Sequence, residues 1–303
     1  MNIAIVGATG NVGRKIIEVL ENKNFPISEL YLIASSKSSG QKINFKGNEH
    51  TVIDLEKFEF SKVKIAFFAA GSAIAEKWAT EAAKKTIVID NSKYFRKDSE
   101  IPLIVPEVNS KELVHVKNKN IIANANCSVI PLVVALKPLH DLYTVKRIVA
   151  STYQSVSGAG KAPMDELLSQ TQDYFNNKNL QSKHFTKQIA FNAIPHIDSF
   201  LENGYTKEEQ KTSDEVKKIL DKKIKITSTC VRIPVLVSHS ISANVEFEKK
   251  FNLDEIRNVL STSPGCRVID EQKDGGYITP VEAQISMRHL FQESGKMILN
   301  LIL

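Results

Sequence analysis

The chain has 303 residues, of which 42% are hydrophobic and 24% are charged, and its length fits two domains of ordinary size. This composition excludes collagen, coiled coils and disordered chains, and no stretch approaches the roughly 18 apolar residues that a membrane helix needs. The net charge of +6 comes with lysines scattered as doublets. We therefore expect solvated surfaces, with no nucleic-acid interface and no membrane association.

The number and spacing of the cysteines indicate the redox compartment of the protein. Cys127, Cys230 and Cys266 are odd in number and widely spaced, so they encode neither a disulfide framework nor a cysteine metal site. The start of the chain has no basic segment followed by a signal-peptide apolar core. We expect a soluble protein of the cytoplasm, a reducing compartment, without a bound metal.

Strands and helices are predicted to alternate over the first 125 residues. The predicted order is a strand at 2–6, a helix at 13–22, strands at 30–34 and 64–70, a helix at 73–85, and a strand at 86–90. Such alternation is typical of a parallel, doubly wound α/β sheet. We therefore assign residues 1–125 to a first domain.

The pattern changes near Asn126. A short strand at 120–123 and a helix at 130–139 are followed by predicted strands at 145–153, 225–234 and 239–247, with helices at 162–175, 206–221 and 253–261. Because no helix links each pair of these strands, an α+β domain with a mixed or antiparallel sheet is the simplest interpretation. Residues 126–303 form this second domain.

A glycine-rich loop separates the first strand from the first helix. Its spacing is GxxGxxG, and the residues that we expect to contact a nucleotide are Gly7, Thr9, Gly10, Asn11, Val12 and Gly13. Backbone N–H groups and the helix dipole bind pyrophosphate at such a position, although a tight turn alone also explains it. The alternating pattern favours a Rossmann-like nucleotide domain.

The end of the second strand bears on the choice of nucleotide. NAD sites usually place an acidic residue there, about 20 residues beyond the loop, to bind the ribose hydroxyls. Here the position holds Ser35, Ser36 and Lys37. Hydroxyls and an ammonium group suit a 2′-phosphate, so the sequence predicts NADP.

Cys127 lies where a strand ends and a helix begins, a setting that lowers the pKa of a thiol. Cys230 and Cys266 fall in or beside apolar segments and are expected in the core. A thiolate in a nicotinamide enzyme suggests covalent capture of a carbonyl followed by hydride transfer. Arg232 and His239 flank Pro234 and are candidate helpers, although spacing alone does not bring them together.

Several blocks of sequence resemble the aspartate-semialdehyde dehydrogenase family, in the right order from residue 1 to about 288. These blocks are GATGNVG at 7–13, DNSKYFR at 90–96, VPEVN at 105–109, NANCSV at 124–129, STYQSVSGAGK at 151–161, NAIPHID at 192–198, TKEEQK at 206–211 and TCVRIPVLVSHS at 229–240. A sibling, N-acetyl-glutamyl-phosphate reductase, shares the glycine loop and a catalytic cysteine. The context of Cys127 and the STYQSVSGAGK and TKEEQK blocks argue against it.

The resemblance implies a reaction and a role for each matching residue. NADPH would reduce aspartyl phosphate to aspartate semialdehyde in lysine, diaminopimelate, threonine and methionine biosynthesis, and the second domain would build a homodimer. Cys127 would form the thioester, Gln154 would orient the acyl group and His239 would act as acid and base. The expected substrate ligands are Arg232 for the carboxylate, Arg96 with Lys211 for the phosphate, and Glu208 for the amino group. Ser157 and Gly158 would contact the cofactor.

The sequence departs from the family pattern in two ways, at single positions and at its C-terminus, and each departure carries an expectation. Val129 and Pro131 stand where the family favours Thr and Gln, and Ala125 and Lys93 where it favours Pro and Ser, which bears on rate. The family also continues beyond the equivalent of Leu303 into a final helix that packs beside the nicotinamide. The alternative is therefore a truncated, weakly active or inactive relative that only binds nucleotide or forms dimers.

Overall fold

A computed structural model describes residues 1–269, 271, 273–283 and 297–298. Contacts divide the chain into two compact units, Met1–Ala125 and Asn126–Leu303. Within the described residues, no helix combines the length and apolar character needed to cross a bilayer.

The first unit alternates strands and helices. Its strands are β1 (Ile3–Val6), β2 (Leu30–Ala34), β3 (Lys42–Phe45), β4 (Asn48–Thr51), β5 (Ile53–Asp54), β6 (Ile65–Phe68), β7 (Ile87–Asp90), β8 (Leu103–Ile104) and β9 (Ile121–Asn124). Its helices are α1 (Asn11–Asn22), α2 (Ser72–Ile74) and α3 (Thr80–Ala83), joined by a π-helical stretch at Ala75–Ala79, and α4 (Pro106–Asn109).

Seven of these strands form one parallel sheet in the order β5-β2-β1-β6-β7-β9-β8. Continuous apolar runs build its centre, because a parallel sheet is covered on both faces. Ile3, Ile5 and Leu32 are at most 1% exposed. The predicted doubly wound α/β fold is confirmed, and β1 lies where the strand order reverses direction, the usual position of a ligand crevice.

The β3–β4 hairpin was absent from the sequence prediction. Phe45 pairs with Asn48 across a two-residue turn, and both turn residues, Lys46 and Gly47, have positive φ. This turn suits a hairpin, but its first residue is lysine rather than the Asn or Asp that signals such turns in a sequence. Ile43 and Phe45 pack into the core of the first unit.

The second unit carries the longer helices and a separate sheet. Its helices are α5 (Val129–Tyr143), α6 (Lys161–Phe175), α7 (Lys207–Ile219) and α8 (Leu253–Thr262). Its strands are β10 (Val145–Gln154), β11 (Lys225–Arg232), β12 (Ser240–Phe247), β13 (Cys266–Arg267) and β14 (Met297–Ile298). The sequence from Lys296 to Leu303 has the pattern of a strand, and of these residues the structure describes only β14.

Strand β10 is the centre of a three-stranded mixed sheet. It pairs with β11 in parallel and with β12 antiparallel, as an α+β domain with a mixed sheet requires. The parallel register sets Gln154 beside Arg232, and the antiparallel register sets Tyr153 beside Ser240. Strand pairing thus brings together three distant parts of the sequence at one end of β10.

Candidate active site

The candidate catalytic cluster lies at the carboxyl end of β10. Gln154, the last residue of that strand, is 1% exposed and has Arg232 as its neighbour on β11. His239 directly precedes β12, on the other side of β10. Arg232 and His239, which the sequence placed on either side of Pro234, therefore flank the same strand end.

Cys127 meets His239 in this cluster. Its Sγ lies 3.2 Å from Nε2 of the ring, although the two residues are 112 positions apart in sequence. Cys127 is exposed, whereas Cys230 and Cys266 are buried, so the expectation of two core cysteines is confirmed. The peptide turn that opens α5 holds the thiol, because the N–H groups of Val129 and Ile130 both donate to the carbonyl of Asn126 at 3.0 Å.

Ser155 determines which nitrogen of His239 carries the proton. The main-chain N–H of Ser155 lies 3.0 Å from Nδ1, and its hydroxyl lies 3.1 Å from the same atom. Because a peptide N–H can only donate, Nδ1 accepts, and the proton of the neutral ring lies on Nε2, facing Cys127. Burial, reinforced by the charge of Arg232, lowers the pKa of His239 to about 4.

Glu208 is the centre of a buried set of charges and amides. Its Oε1 accepts from Asn126 Nδ2 at 3.0 Å and from Gln154 Nε2 at 3.2 Å, and its Oε2 lies 2.6 Å from Lys211 Nζ. Burial alone would raise the pKa of Glu208, but Lys211 and the two amides outweigh it and hold that pKa below its usual value. Lys211 also contacts Asp198 at 3.1 Å. The carboxylate is therefore ionised and held in one orientation.

The sequence fixes this orientation through the start of α7. Thr206 and Glu209 form a reciprocal capping box, in which the Thr206 hydroxyl accepts from the Glu209 N–H and the Glu209 carboxylate accepts from the Thr206 N–H. Glu208 and Lys211 are three residues apart and share one helix face. The same face carries Glu215, two turns further along.

Arg232 is 6% exposed and donates through Nη1 to the Ser155 carbonyl at 2.6 Å. Gly158 lies against both this guanidinium and the imidazole of His239, because a Cβ at Gly158 would be 3.3 Å from Arg232 Nη1 and 3.4 Å from His239 Nε2. Ser157 joins the same arrangement, with its hydroxyl 3.0 Å from that of Ser155. Six of the seven predicted catalytic and substrate-binding residues thus belong to one cluster in the second unit.

The predicted nucleotide loop lies in the first unit, between β1 and α1. Gly7 has a φ of +88° and a Cβ there would be 2.6 Å from the Ala69 carbonyl oxygen. A Cβ at Gly13 would be 2.2 Å from the Gly7 oxygen. Gly10 precedes α1 with no side chain over its first turn, while Thr9, Asn11 and Val12 are partly or fully exposed. These features fit a pyrophosphate cradle built from main chain.

Ser35, Ser36 and Lys37 lie at the same edge of the first unit's sheet. They follow β2 and are exposed, and Gly7 donates to the Ile33 carbonyl at 2.8 Å. Arg96, the seventh predicted residue, also belongs to the first unit, where its Nη2 donates to the Asn91 carbonyl at 3.0 Å.

Sequence reasoning missed Ser155, Asp198 and Glu215. Ser155 lies inside the STYQSVSGAGK block, but no pattern of residue types indicates that its main-chain carbonyl and N–H would contact Arg232 and His239. Glu215 follows Glu208 by two helical turns, a spacing that could have signalled a second carboxylate on the same face.

Comparisons with known proteins match semialdehyde dehydrogenases over most of the chain. A family model described as "Semialdehyde dehydrogenase, NAD binding domain" matches residues 2–116, and one described as "Semialdehyde dehydrogenase, dimerisation domain" matches residues 136–289. The aspartate-semialdehyde dehydrogenase of Aquifex aeolicus is 49% identical over 286 residues, covering 93% of this chain and 84% of that protein. The enzyme of Rickettsia bellii is 46% identical over 282 residues, covering 93% and 83%.

A solved structure shows the same similarity. The crystal structure of aspartate semialdehyde dehydrogenase II from Vibrio cholerae, complexed with ASA, superposes with a TM-score of 0.90 at 44% identity. It covers 92% of this chain and 83% of that chain.

Proposed function

This chain belongs to the aspartate-semialdehyde dehydrogenase family, and we propose that it catalyses the NADPH-dependent conversion of L-4-aspartyl phosphate to L-aspartate 4-semialdehyde and phosphate. Family membership supports the reaction in general. The observation that carries the proposal for this chain is the 3.2 Å contact between Cys127 Sγ and His239 Nε2, since a covalent mechanism needs a nucleophile and a proton-bearing partner within reach.

Cys127 is the proposed nucleophile. Its thiolate would attack the acyl carbon of aspartyl phosphate, forming a carbon–sulfur bond while phosphate leaves with the electron pair of the carbon–oxygen bond. The result is a thioester on Cys127. The Nε2–H of His239 stabilises the thiolate before this step, and the same sulfur is the leaving group when the aldehyde is released.

His239 is proposed to act from its neutral form. With a pKa of about 4, the ring carries no charge at neutral pH. Its Nε2–H then donates toward the sulfur or toward a negatively charged oxygen that develops beside it, while Nδ1 stays bound to Ser155. Gln154, held by Glu208 and Thr152, would orient the acyl group next to this donor.

The remaining charges complement the substrate. Aspartyl phosphate has a carboxylate, a phosphate and an ammonium group. We assign Arg232 to the carboxylate, Arg96 and Lys211 to the phosphate, and Glu208 to the ammonium group, because a guanidinium binds such anions through parallel hydrogen bonds. The ionised state of Glu208 suits it to a cation.

The first unit is proposed to bind NADP and the second to carry catalysis and dimerisation, with the division at Ala125 and Asn126. Gly7, Gly10 and Gly13 would hold the pyrophosphate, Ser35, Ser36 and Lys37 the 2′-phosphate, and Ser157 and Gly158 the nicotinamide end. When bound, NADPH supplies the hydride that reduces the thioester. The protein would act as a homodimer in the cytoplasm, in lysine, threonine and methionine synthesis.

The test is turnover in the phosphate-dependent oxidation of aspartate semialdehyde with NADP, followed by nicotinamide absorbance. We expect turnover by the unmodified chain, loss by orders of magnitude in Cys127→Ser, since a hydroxyl is a far weaker nucleophile, and little change in the buried-cysteine control Cys266→Ala. Retained turnover in Cys127→Ser would refute the covalent scheme. A folded, nucleotide-binding chain without turnover would favour the alternative, a relative that only binds nucleotide or dimerises.

A further inference from the structure

Asn126, the residue before the nucleophile, has all its polar groups engaged within the second unit. Its carbonyl accepts from the first N–H groups of α5, and its Oδ1 accepts from the N–H and the hydroxyl of Ser128 at 2.9 and 2.7 Å. Its Nδ2 donates to Glu208 at 3.0 Å. The peptide N–H that remains donates to Glu215 Oε2 at 2.6 Å. The turn that carries Cys127 is therefore held from both of its sides.

Glu215 supplies this last contact from α7. Glu215 is only 3% exposed. Because it follows Glu208 by two helical turns, the two carboxylates lie on one face of α7. One side of α7 thus accepts two hydrogen bonds from Asn126. Glu215 accepts from its main-chain N–H, and Glu208 accepts from its side-chain amide. The capping box at Thr206 and Glu209 fixes the helix that carries both.

We propose that Glu215 is a positioning residue for the nucleophile: it anchors the Asn126 peptide and thereby sets the sulfur of Cys127 against Nε2 of His239. This inference rests on the proposed role of Cys127. Glu215 acts through one peptide group, the N–H of Asn126, and Asn126 transmits its position to the next residue.

The size of the effect follows from the geometry of covalent attack. The sulfur lies 3.2 Å from its partner nitrogen, and a misplacement of about 1 Å costs roughly 100-fold in rate in a positioned site. Glu215→Leu removes the acceptor, so the Asn126 N–H must turn toward another partner. Glu215→Gln keeps an oxygen of the same reach and is expected to rescue most of the loss.

The experiment measures two properties of the full chain. The first is the rate at which iodoacetamide alkylates Cys127 at neutral pH, read by mass spectrometry, since Cys230 and Cys266 are buried. The second is the turnover assay, with kcat and KM separated. For Glu215→Leu we expect alkylation at least tenfold slower and kcat about 100-fold lower, with KM for aspartate semialdehyde within threefold of the unmodified chain.

The control is Asp214→Asn, the neighbouring acid on α7, whose carboxylate accepts from Gln210 at 2.7 Å. It removes the same charge and should change neither rate. If Glu215→Leu does not fold, Glu215→Asp withdraws the acceptor by one methylene and provides the same test. Alkylation and kcat within twofold of the unmodified chain in a folded Glu215 variant would overturn the inference. If the unmodified chain lacks turnover but Cys127 is still alkylated more slowly in Glu215→Leu, the proposed function alone is overturned.

Discussion

The two units prepare for ligands in different ways. The glycine loop of the first unit is main chain, and its shape depends on residues that lack a Cβ. The cluster of the second unit is made of side chains, several of them charged and buried, and its shape depends on hydrogen bonds among Glu208, Asn126, Gln154 and Lys211. Added side-chain bulk should therefore disrupt the glycine loop. Loss of a hydrogen-bond partner or a change of protonation should disrupt the side-chain cluster.

The largest expected effect comes from adding one methyl group to the loop. Gly13→Ala places a Cβ 2.2 Å from the Gly7 oxygen, a main-chain atom that cannot move aside, so we expect the first unit to lose about 3 kcal/mol of unfolding free energy. Trp78, the chain's single tryptophan, lies in this unit and reports its unfolding by fluorescence in urea.

Gly10→Ala is the matched control in the same loop. Its Cβ would lie 3.4 Å from that oxygen, an ordinary contact, so its urea midpoint should stay close to that of the unmodified chain. Equal urea midpoints for the two variants would show that a clash with the Gly7 oxygen does not determine the stability of the first unit.

The second unit should instead respond to pH. His239 has a pKa of about 4 when folded, against an ordinary value of 6.5. Between these values the unfolded chain binds a proton that the folded chain does not, so stability falls as pH drops from 6.5 to about 4, by about 3 kcal/mol in total.

Urea unfolding at a series of pH values, followed by circular dichroism, measures this loss. His239→Gln should flatten the dependence, whereas His184→Gln, at an exposed histidine, should leave it unchanged. A steep dependence that survives in His239→Gln would assign it to other groups.

A smaller effect concerns the nucleotide. If Lys37 meets a 2′-phosphate, Lys37→Gln should reduce the preference for NADPH over NADH about tenfold, which corresponds to about 1.4 kcal/mol. Ratios of kcat/KM for the two nucleotides give the result. Lys23→Gln, an exposed lysine at the end of α1, is the control, and an unchanged ratio in Lys37→Gln would contradict the assignment.

The smallest effect is at Ser238, next to His239. Its φ of +77° is costly for a residue with a Cβ, and within the described part of the chain its buried hydroxyl has no hydrogen-bond partner. Ser238→Gly should raise the free energy of unfolding by about 1 kcal/mol and lower kcat, because the ring is held less firmly. Thr144→Gly, at another positive φ, should stabilise without affecting kcat. A loss of stability in Ser238→Gly would show that the backbone there is not strained.

Much of the fold was readable from the sequence because apolar runs and their periodicity mark strands and helices directly. The βα alternation, the glycine loop and the three strands of the second sheet all follow from such local patterns. The β3–β4 hairpin did not, because its strands are short and largely polar.

The candidate site was only partly readable. Cys127, Gln154, Arg232 and His239 could be named from sequence blocks, yet their meeting depends on the register of β10 with two strands that lie far away along the chain. Ser155 meets Arg232 and His239 through its main-chain carbonyl and N–H, groups that nearly every residue type carries, so these two contacts leave no trace in side-chain identity. The anchoring of Asn126 by α7 likewise joins residues 82 and 89 positions apart.

The main chain of Ser155 also links substrate choice to chemistry. Its carbonyl accepts from Arg232, the proposed carboxylate ligand, and its N–H donates to His239. A redesign that replaces Arg232 to admit a different substrate would remove this donor from the carbonyl and loosen the residue whose N–H orients the imidazole. Engineering of specificity at this position therefore needs a replacement that still donates a hydrogen bond to Ser155, or the new substrate will meet a misaligned ring.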